Sequence, residues 1–299
     1  MPLVVVGETG LIGSSIKANN LSNTLDFFIN EWTTENVAIS LRNLKSEWEI
    51  TRSPIDLVWA AGKSNNSSNQ STLDFEIEIV ESFLKNLSNS GFKLNSLNLI
   101  SSAGSIFGGY DDELISNNTL PKPISLYGKS RLEIEAKFAD YAKLNGVALN
   151  IFRLTNVFGF KQTLKNSSGL LSHLISANLT RKELNIFVPL YVEQDYIDVD
   201  FVSHNLINIL QRSTASEKLI NTYIFSRNQS HSIAEVISLI DKFMGRKTPF
   251  VTQQIDSGFE RQSNLRFQVI NDSFISKPIE QITISVKKLV NEMIYAKVN

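Results

Sequence analysis

Short apolar runs recur along the first half of the chain. Leu3–Val6, Val37–Ser40, Ile55–Ala61, Leu97–Ser101 and Ala148–Leu154 are rich in β-branched residues and end at polar or glycine-containing turns, the pattern of strands buried on both faces. Between several of them the spacing changes. Over Leu73–Leu87 and Arg131–Leu144 apolar residues return every three or four positions, which predicts amphipathic helices. Strand and helix in alternation imply an α/β fold with a doubly wound, Rossmann-type parallel sheet. Leu25–Ile29 suits a further strand, although Phe27 and Phe28 fit a helix almost as well.

After Phe158 the pattern loosens. Asn166–Leu179 reads as a helix, Leu184–Val188 and Asp195–Val199 as short strands, and Phe201–Arg212 as a helix capped by Asp200. Leu219–Phe225 reads as a strand returning to the main sheet, followed by helices over Ser232–Met244 and Ser285–Ala296. The organisation predicted is a dinucleotide-binding domain over 1–160, to which 195–228 returns, and a smaller discontinuous substrate lobe made of 161–194 and 229–299. The Asn/Ser-rich stretch Ser64–Ser71 reads as an exposed loop.

The first candidate chemistry follows the first strand. Gly7-Glu8-Thr9-Gly10-Leu11-Ile12-Gly13 leaves a predicted strand and opens a predicted helix, the context in which such a glycine loop holds a dinucleotide. Gly7 permits the tight turn, Gly10 lets the backbone around Thr9, Leu11 and Ile12 approach a diphosphate, and Gly13 allows helix and strand to pack closely. Glu31 stands 24 residues beyond Gly7, where an acid would bond ribose hydroxyls and repel a 2′-phosphate, so NAD is expected rather than NADP.

Composition narrows the partners. With 42% hydrophobic residues in 299 the chain can bury a large core, and 29 basic against 30 acidic residues, spread along its length, leave no footprint for nucleic acid or an anionic membrane. The absence of cysteine excludes disulfides, zinc-thiolate sites and iron–sulfur clusters. His173, His204 and His231 lack metal-ligand spacing, so no metal is predicted. No stretch reaches the roughly 20 apolar residues of a membrane span. Met1-Pro2 leads into the first strand with no leader-like region, so a cytoplasmic protein is expected.

Leu126-Tyr127-Gly128-Lys129-Ser130-Arg131 resembles the Tyr-x-x-x-Lys helix of the extended short-chain dehydrogenase/reductases. Trp59-Ala60-Ala61-Gly62, the segment Ser101–Gly108, Arg153-Leu154-Thr155-Asn156-Val157-Phe158-Gly159 and Asp195–Asp200 resemble further landmarks of that family, and nucleotide-sugar 4-epimerases are the members most alike. The resemblance implies that Tyr127 removes a sugar hydroxyl proton, that Arg131 supports it, that Ser102 or Ser105 shares the proton, and that Asn156 and Ser102 meet the substrate. It also implies that Ala60, Ala61, Gly62, Leu154, Tyr127 and Arg131 flank the NAD.

Four positions depart from the family pattern: Arg131 for lysine, Ala103 for the serine or threonine, Gln194 for a diphosphate-gripping arginine, and Glu76 for a helix asparagine. Arginine keeps the charge but cannot shuttle a proton. The resemblance therefore implies an NAD-dependent nucleotide-sugar epimerase of surface-polysaccharide synthesis, with a ketoreductase or a turnover-deficient NAD(P)-binding regulator as the rivals. A homodimer through a four-helix bundle is expected if the outer faces of Leu73–Leu87 and the Tyr127 helix are apolar.

Overall fold

The computed structural model describes residues 1–20, 24–159, 169–212, 218–253, 264–269 and 280–298. The chain starts with β1 (Leu3–Val6), α1 (Leu11–Asn19), β2 (Thr24–Leu25), α2 (Thr34–Thr51), β3 (Ile55–Trp59), α3 (Gln70–Ser90) and β4 (Leu94–Ser102). It continues through α4 (Ala103–Ile106), β5 (Leu114–Ile115), α5 (Leu126–Asn145), β6 (Ala148–Leu154), β7 (Asn156–Phe158), α6 (Leu170–Thr180), β8 (Leu184–Ile186) and β9 (Glu193–Asp198). The last elements are α7 (Val199–Arg212), β10 (Ile220–Phe225), β11 (Ser230–Ser232), α8 (Ile233–Met244), β12 (Phe250–Thr252), β13 (Arg266–Phe267) and α9 (Ile282–Val298).

Six strands form one parallel sheet in the order β10-β6-β4-β3-β1-β2. Both faces are covered, and the period of two along each strand divides the core. Val4, Val6, Leu57 and Ile151 pack under α2, α3 and α5, whereas Leu3, Val5, Val58 and Phe152 pack with Ile16 of α1 and Phe201 and Leu206 of α7. A further cluster joins Leu174, Ile237, Ile240, Val286 and Met293 of α6, α8 and α9 to Phe158 and Tyr196. That cluster is what the loose pattern after Phe158 builds.

Two expectations need correction. Val37–Ser40 is not a strand but the first half of α2, because Val37, Leu41, Leu44 and Trp48 form one buried helical stripe and Thr33 accepts the Asn36 N–H as its cap. A four-residue apolar run cannot tell strand from helix, and the longer period decides. The cap of α7 is Asp198, whose carboxylate accepts the Asp200 N–H at 2.8 Å, so Asp200 is the second residue of the helix. The strand expected over Leu25–Ile29 pairs only at its start, Leu25. Of the helix expected over Asn166–Leu179, residues 166–168 lie outside the described residues, and α6 begins at Leu170.

The sheet interior carries a row of amides that periodicity does not announce. Asn221 donates to Asn150, Asn150 to Asn98, and Asn98 to the Ser96 hydroxyl and the Leu57 carbonyl, while Ser96 donates to Asp56. The row crosses β10, β6, β4 and β3. Buried polar groups that find partners in a single alignment make any other strand register costly.

α3 and α5 lie side by side, and their outward positions include Asp74, Glu78, Lys85, Lys129, Glu133 and Lys143, with Phe75 exposed at 47%. Leu126 and Leu144 of α5 are exposed as well, so these outward faces mix charged and apolar residues. Among the described residues no helix is long and apolar enough to cross a membrane.

Burial and the nearby Asp200 and Asp198 raise the Glu292 carboxyl from 4.5 to about 6. A raised acid stabilises the fold while protonated, so that contribution is present below about pH 4.5 and is lost as pH rises through 6. Glu292→Gln is expected to raise stability at pH 7.5 by on the order of 1 kcal/mol, discounted for partial exposure, and to leave it little changed at pH 4. Thermal unfolding at the two pH values checks this; an equal effect at both contradicts it.

Candidate active site

β2 lies outside β1 while β3 lies on its other side, so the winding reverses between β1 and β3. At such a point the loops leaving the carboxyl ends of the strands separate into a crevice. The turn after β1 is pressed against the turn after β3: Gly7 has φ +91°, and a Cβ on it would stand 2.8 Å from the Ala60 carbonyl and the Ala61 Cα. A Cβ on Gly13 would overlap the Gly7 carbonyl oxygen. Gly10 caps α1 with no side-chain bond to the first-turn amides, which leaves a positive helix end without a resident acceptor.

Two connected spaces open above the sheet. The smaller, about 210 Å³, is lined by Ile12, Ala60, Ala61, Gly62, Ser64, Leu154, Tyr127 and Arg131 among others. The larger, about 630 Å³, is lined by Ser105, Gly108, Ser125, Asn156, Gln194, Tyr196 and apolar residues of the C-terminal part such as Leu171 and Ile233. Ser102, Thr155 and Val157 line both, and so mark the junction.

α5 brings the tyrosine there. Ser125 caps the helix by accepting the Gly128 N–H at 2.9 Å, and Gly128 lies so close to α4 that a Cβ would overlap the Ser105 carbonyl oxygen. Tyr127, Arg131 and Glu135 then follow at four-residue spacing on one helical face. Arg131 is buried, its guanidinium carbon lies 5.2 Å from the Tyr127 ring centroid, and its Nη2 donates to Glu76 of α3. Arg131 Nε is buried with no partner. Glu135 accepts from the Ser101 hydroxyl at 2.7 Å and from Arg153 at 3.0 and 2.7 Å, tying α5 to β4 and β6. Burial pushes the Tyr127 phenol above its ordinary pKa; Arg131 opposes the rise and Glu76 adds to it.

The hydroxyl candidates cap one another. Ser102 Oγ accepts the Ser105 N–H at 3.4 Å, and Ser105 Oγ donates to the Ser102 carbonyl at 3.5 Å. Ser105 is buried, and Ala103 is fully buried, so Ser102 is the one that borders both spaces. Asn156 donates to the Asp195 carbonyl at 2.9 Å and to Gln194 at 3.3 Å, which fixes its amide at the wall of the larger space.

Sequence reasoning missed two features. Asp195 is buried and accepts from the Thr155 and Ser226 hydroxyls and from the Arg227 and Gln229 N–H groups, holding the segments after β6 and β10 to β9. Asp26, directly after β2, pairs with Lys17, which also pairs with Glu8 of the glycine loop, each at 2.7 Å. Asp26 lies closer than Glu31 to the roughly 20-residue distance at which an acid meets a ribose. Asp26 and Glu31 are both exposed and line neither space, and of the glycine loop only Ile12 does, Gly7, Thr9, Gly10, Leu11 and Gly13 lying outside both linings. Among the described residues no three His, Asp or Glu gather where a metal ion could be held.

A family model described as the NAD dependent epimerase/dehydratase family matches residues 3–221. The chain belongs to that family. It is similar to dTDP-L-rhamnose 4-epimerase of Burkholderia thailandensis, at 27% identity over 152 residues, which is 50% of this chain and 40% of that relative; the chain thus aligns with less than half of it. Its fold is similar to UDP-glucose 4-epimerase of Thermotoga maritima, with TM-score 0.80, 17% identity and 100% of each chain covered. It is also similar to UDP-glucuronic acid 4-epimerase of Bacillus cereus, with TM-score 0.77, 18% identity and 99% of each chain covered.

NAD is the cofactor of the family, and the residues present fit it: a glycine cradle with no room for a side chain, an uncapped helix start, and a buried Arg131 Nε that lacks a partner. Gly7→Ala forces a side chain into a left-handed backbone and into Ala60. It is expected to lower NAD affinity at least tenfold and to cost about 2 kcal/mol of stability. Calorimetric titration and thermal unfolding check this, and unchanged affinity contradicts it.

Proposed function

We propose that the protein is an NAD-dependent epimerase of a nucleotide-activated hexose, acting at C4 through a transient 4-keto sugar. The observation that carries the reading is the junction at Ser102, where a small space bordered by Tyr127 and Arg131 opens into a larger one walled by Asn156 and Gln194. NAD, when bound, would take a hydride from the sugar carbon and return it. Tyr127 accepts the proton of the sugar hydroxyl and gives it back, Ser102 bonds the same oxygen in place of the hydroxyl missing at Ala103, and Asn156 orients the sugar. Arg131 supports the phenolate and offers Nε to a ribose hydroxyl. Asp26 and Glu31 are the acids available to the adenosine ribose. A role in surface-polysaccharide synthesis in the cytoplasm accompanies this reading, as does assembly as a homodimer across α3 and α5, where Phe75, Leu126 and Leu144 are exposed among charged residues.

One observation favours a second reading. Burial raises the Tyr127 phenol above its ordinary pKa, which favours the protonated form that a ketoreductase uses to protonate a reduced ketone. Incubation with NAD and a panel of UDP- and dTDP-hexoses, followed by proton NMR of the C4 coupling, is expected to show interconversion of axial and equatorial epimers. Tyr127→Phe is expected to slow it by about 10²–10⁴-fold while NAD still binds. If no sugar is epimerised but a 4-keto sugar consumes NADH, the reductase reading replaces this one.

A further inference from the structure

Arg131 does not stand alone against the tyrosine. Its guanidinium is shared with Glu76, a partly buried residue of the neighbouring helix α3, and both carboxylate oxygens are committed: Oε1 accepts from Arg131 and Oε2 accepts the Ser64 N–H at 3.2 Å. The turn after β3 is shaped around this carboxylate. Gly62 has φ +150°, and a Cβ there would stand 2.6 Å from Glu76 Oε1 and 3.6 Å from Arg131 Nη1. Arg131 is thereby held at one end by Glu76, while its guanidinium carbon lies over the Tyr127 ring, 5.2 Å from the centroid.

We propose that Glu76 is a positioning residue of this site, which fixes the Arg131 guanidinium against the Tyr127 ring and cancels the charge that the arginine would otherwise lend to the phenol. The proposal rests on reading Tyr127 as the acid–base residue, but not on which sugar is turned over. Other elements around the small space bring no charge: Ser64 after β3, Ser101 and Ser102 of β4, and Thr155 after β6 are neutral. The next ionisable residue on the α5 face, Glu135, is neutralised by Arg153. Two opposed charges, Arg131 and Glu76, therefore act on one buried hydroxyl, and the arginine's support is available to it only in part. The arginine departure and the Glu76 departure meet in one ion pair.

The test is a tyrosinate absorbance titration of the protein without added cofactor, with Tyr127→Phe subtracted to isolate Tyr127. Glu76→Gln is expected to move the Tyr127 transition down by about one pH unit, and Arg131→Gln to move it up. Because Glu76→Gln alone leaves a buried unpaired arginine, the same replacement is also made on the Arg131→Gln background. There it is expected to lower the transition again and to bring it within about half a unit of the unaltered protein. A Tyr127 transition that Glu76→Gln leaves in place on both backgrounds overturns the proposal. If the transitions move as described while no nucleotide sugar is converted, the positioning role stands and the epimerase reading fails; conversion with unmoved transitions is the reverse.

Discussion

The constraint on which the rest of the structure depends is the contact between two backbones, the turn after β1 against the turn after β3. Only a residue without a side chain can occupy Gly7 while its neighbour strand delivers Ala60 and Ala61 to the same place. That contact starts α1 in the crevice and aims the β3 turn toward Gly62. The Glu76 carboxylate and the Arg131 guanidinium then fill the space that Gly62 leaves open.

α5 serves as the ruler of the site. Its residues 127, 131 and 135 share a face, and each reaches a different partner: a pocket, a neighbouring helix and the sheet. Breaking a buried pair such as Glu135 with Arg153 typically costs about 3–5 kcal/mol, because one charge is left without its partner. The orientation of the phenol is therefore set by interactions that resist thermal averaging. Its ionisation is set separately, by burial and by the two charges that share its vicinity.

Much of this was legible in the residues. The glycine loop, the four-residue spacing from Tyr127 to Arg131, and the apolar runs of the buried strands all depend on local pattern, and local pattern is what a sequence displays. Val37–Ser40 was misleading because four apolar residues fit either period, and the stripe that makes them helical runs on to Trp48. The amide row through Asn98 and Asn150 and the Asp195 hub are invisible to periodicity, since their partners come from strands far apart in the chain. Glu76 was visible as an unusual residue, yet its partner lies 55 positions away, and only the packing of α3 on α5 brings them together.

The central claim is that a hydride leaves and returns to one sugar carbon within this crevice while Tyr127 handles the hydroxyl proton. The most direct measurement uses a nucleotide hexose carrying deuterium at C4, incubated with the protein and NAD in ordinary water. The account predicts a C4 epimer that keeps its deuterium at C4. An epimer in which that deuterium has been replaced from solvent would contradict it.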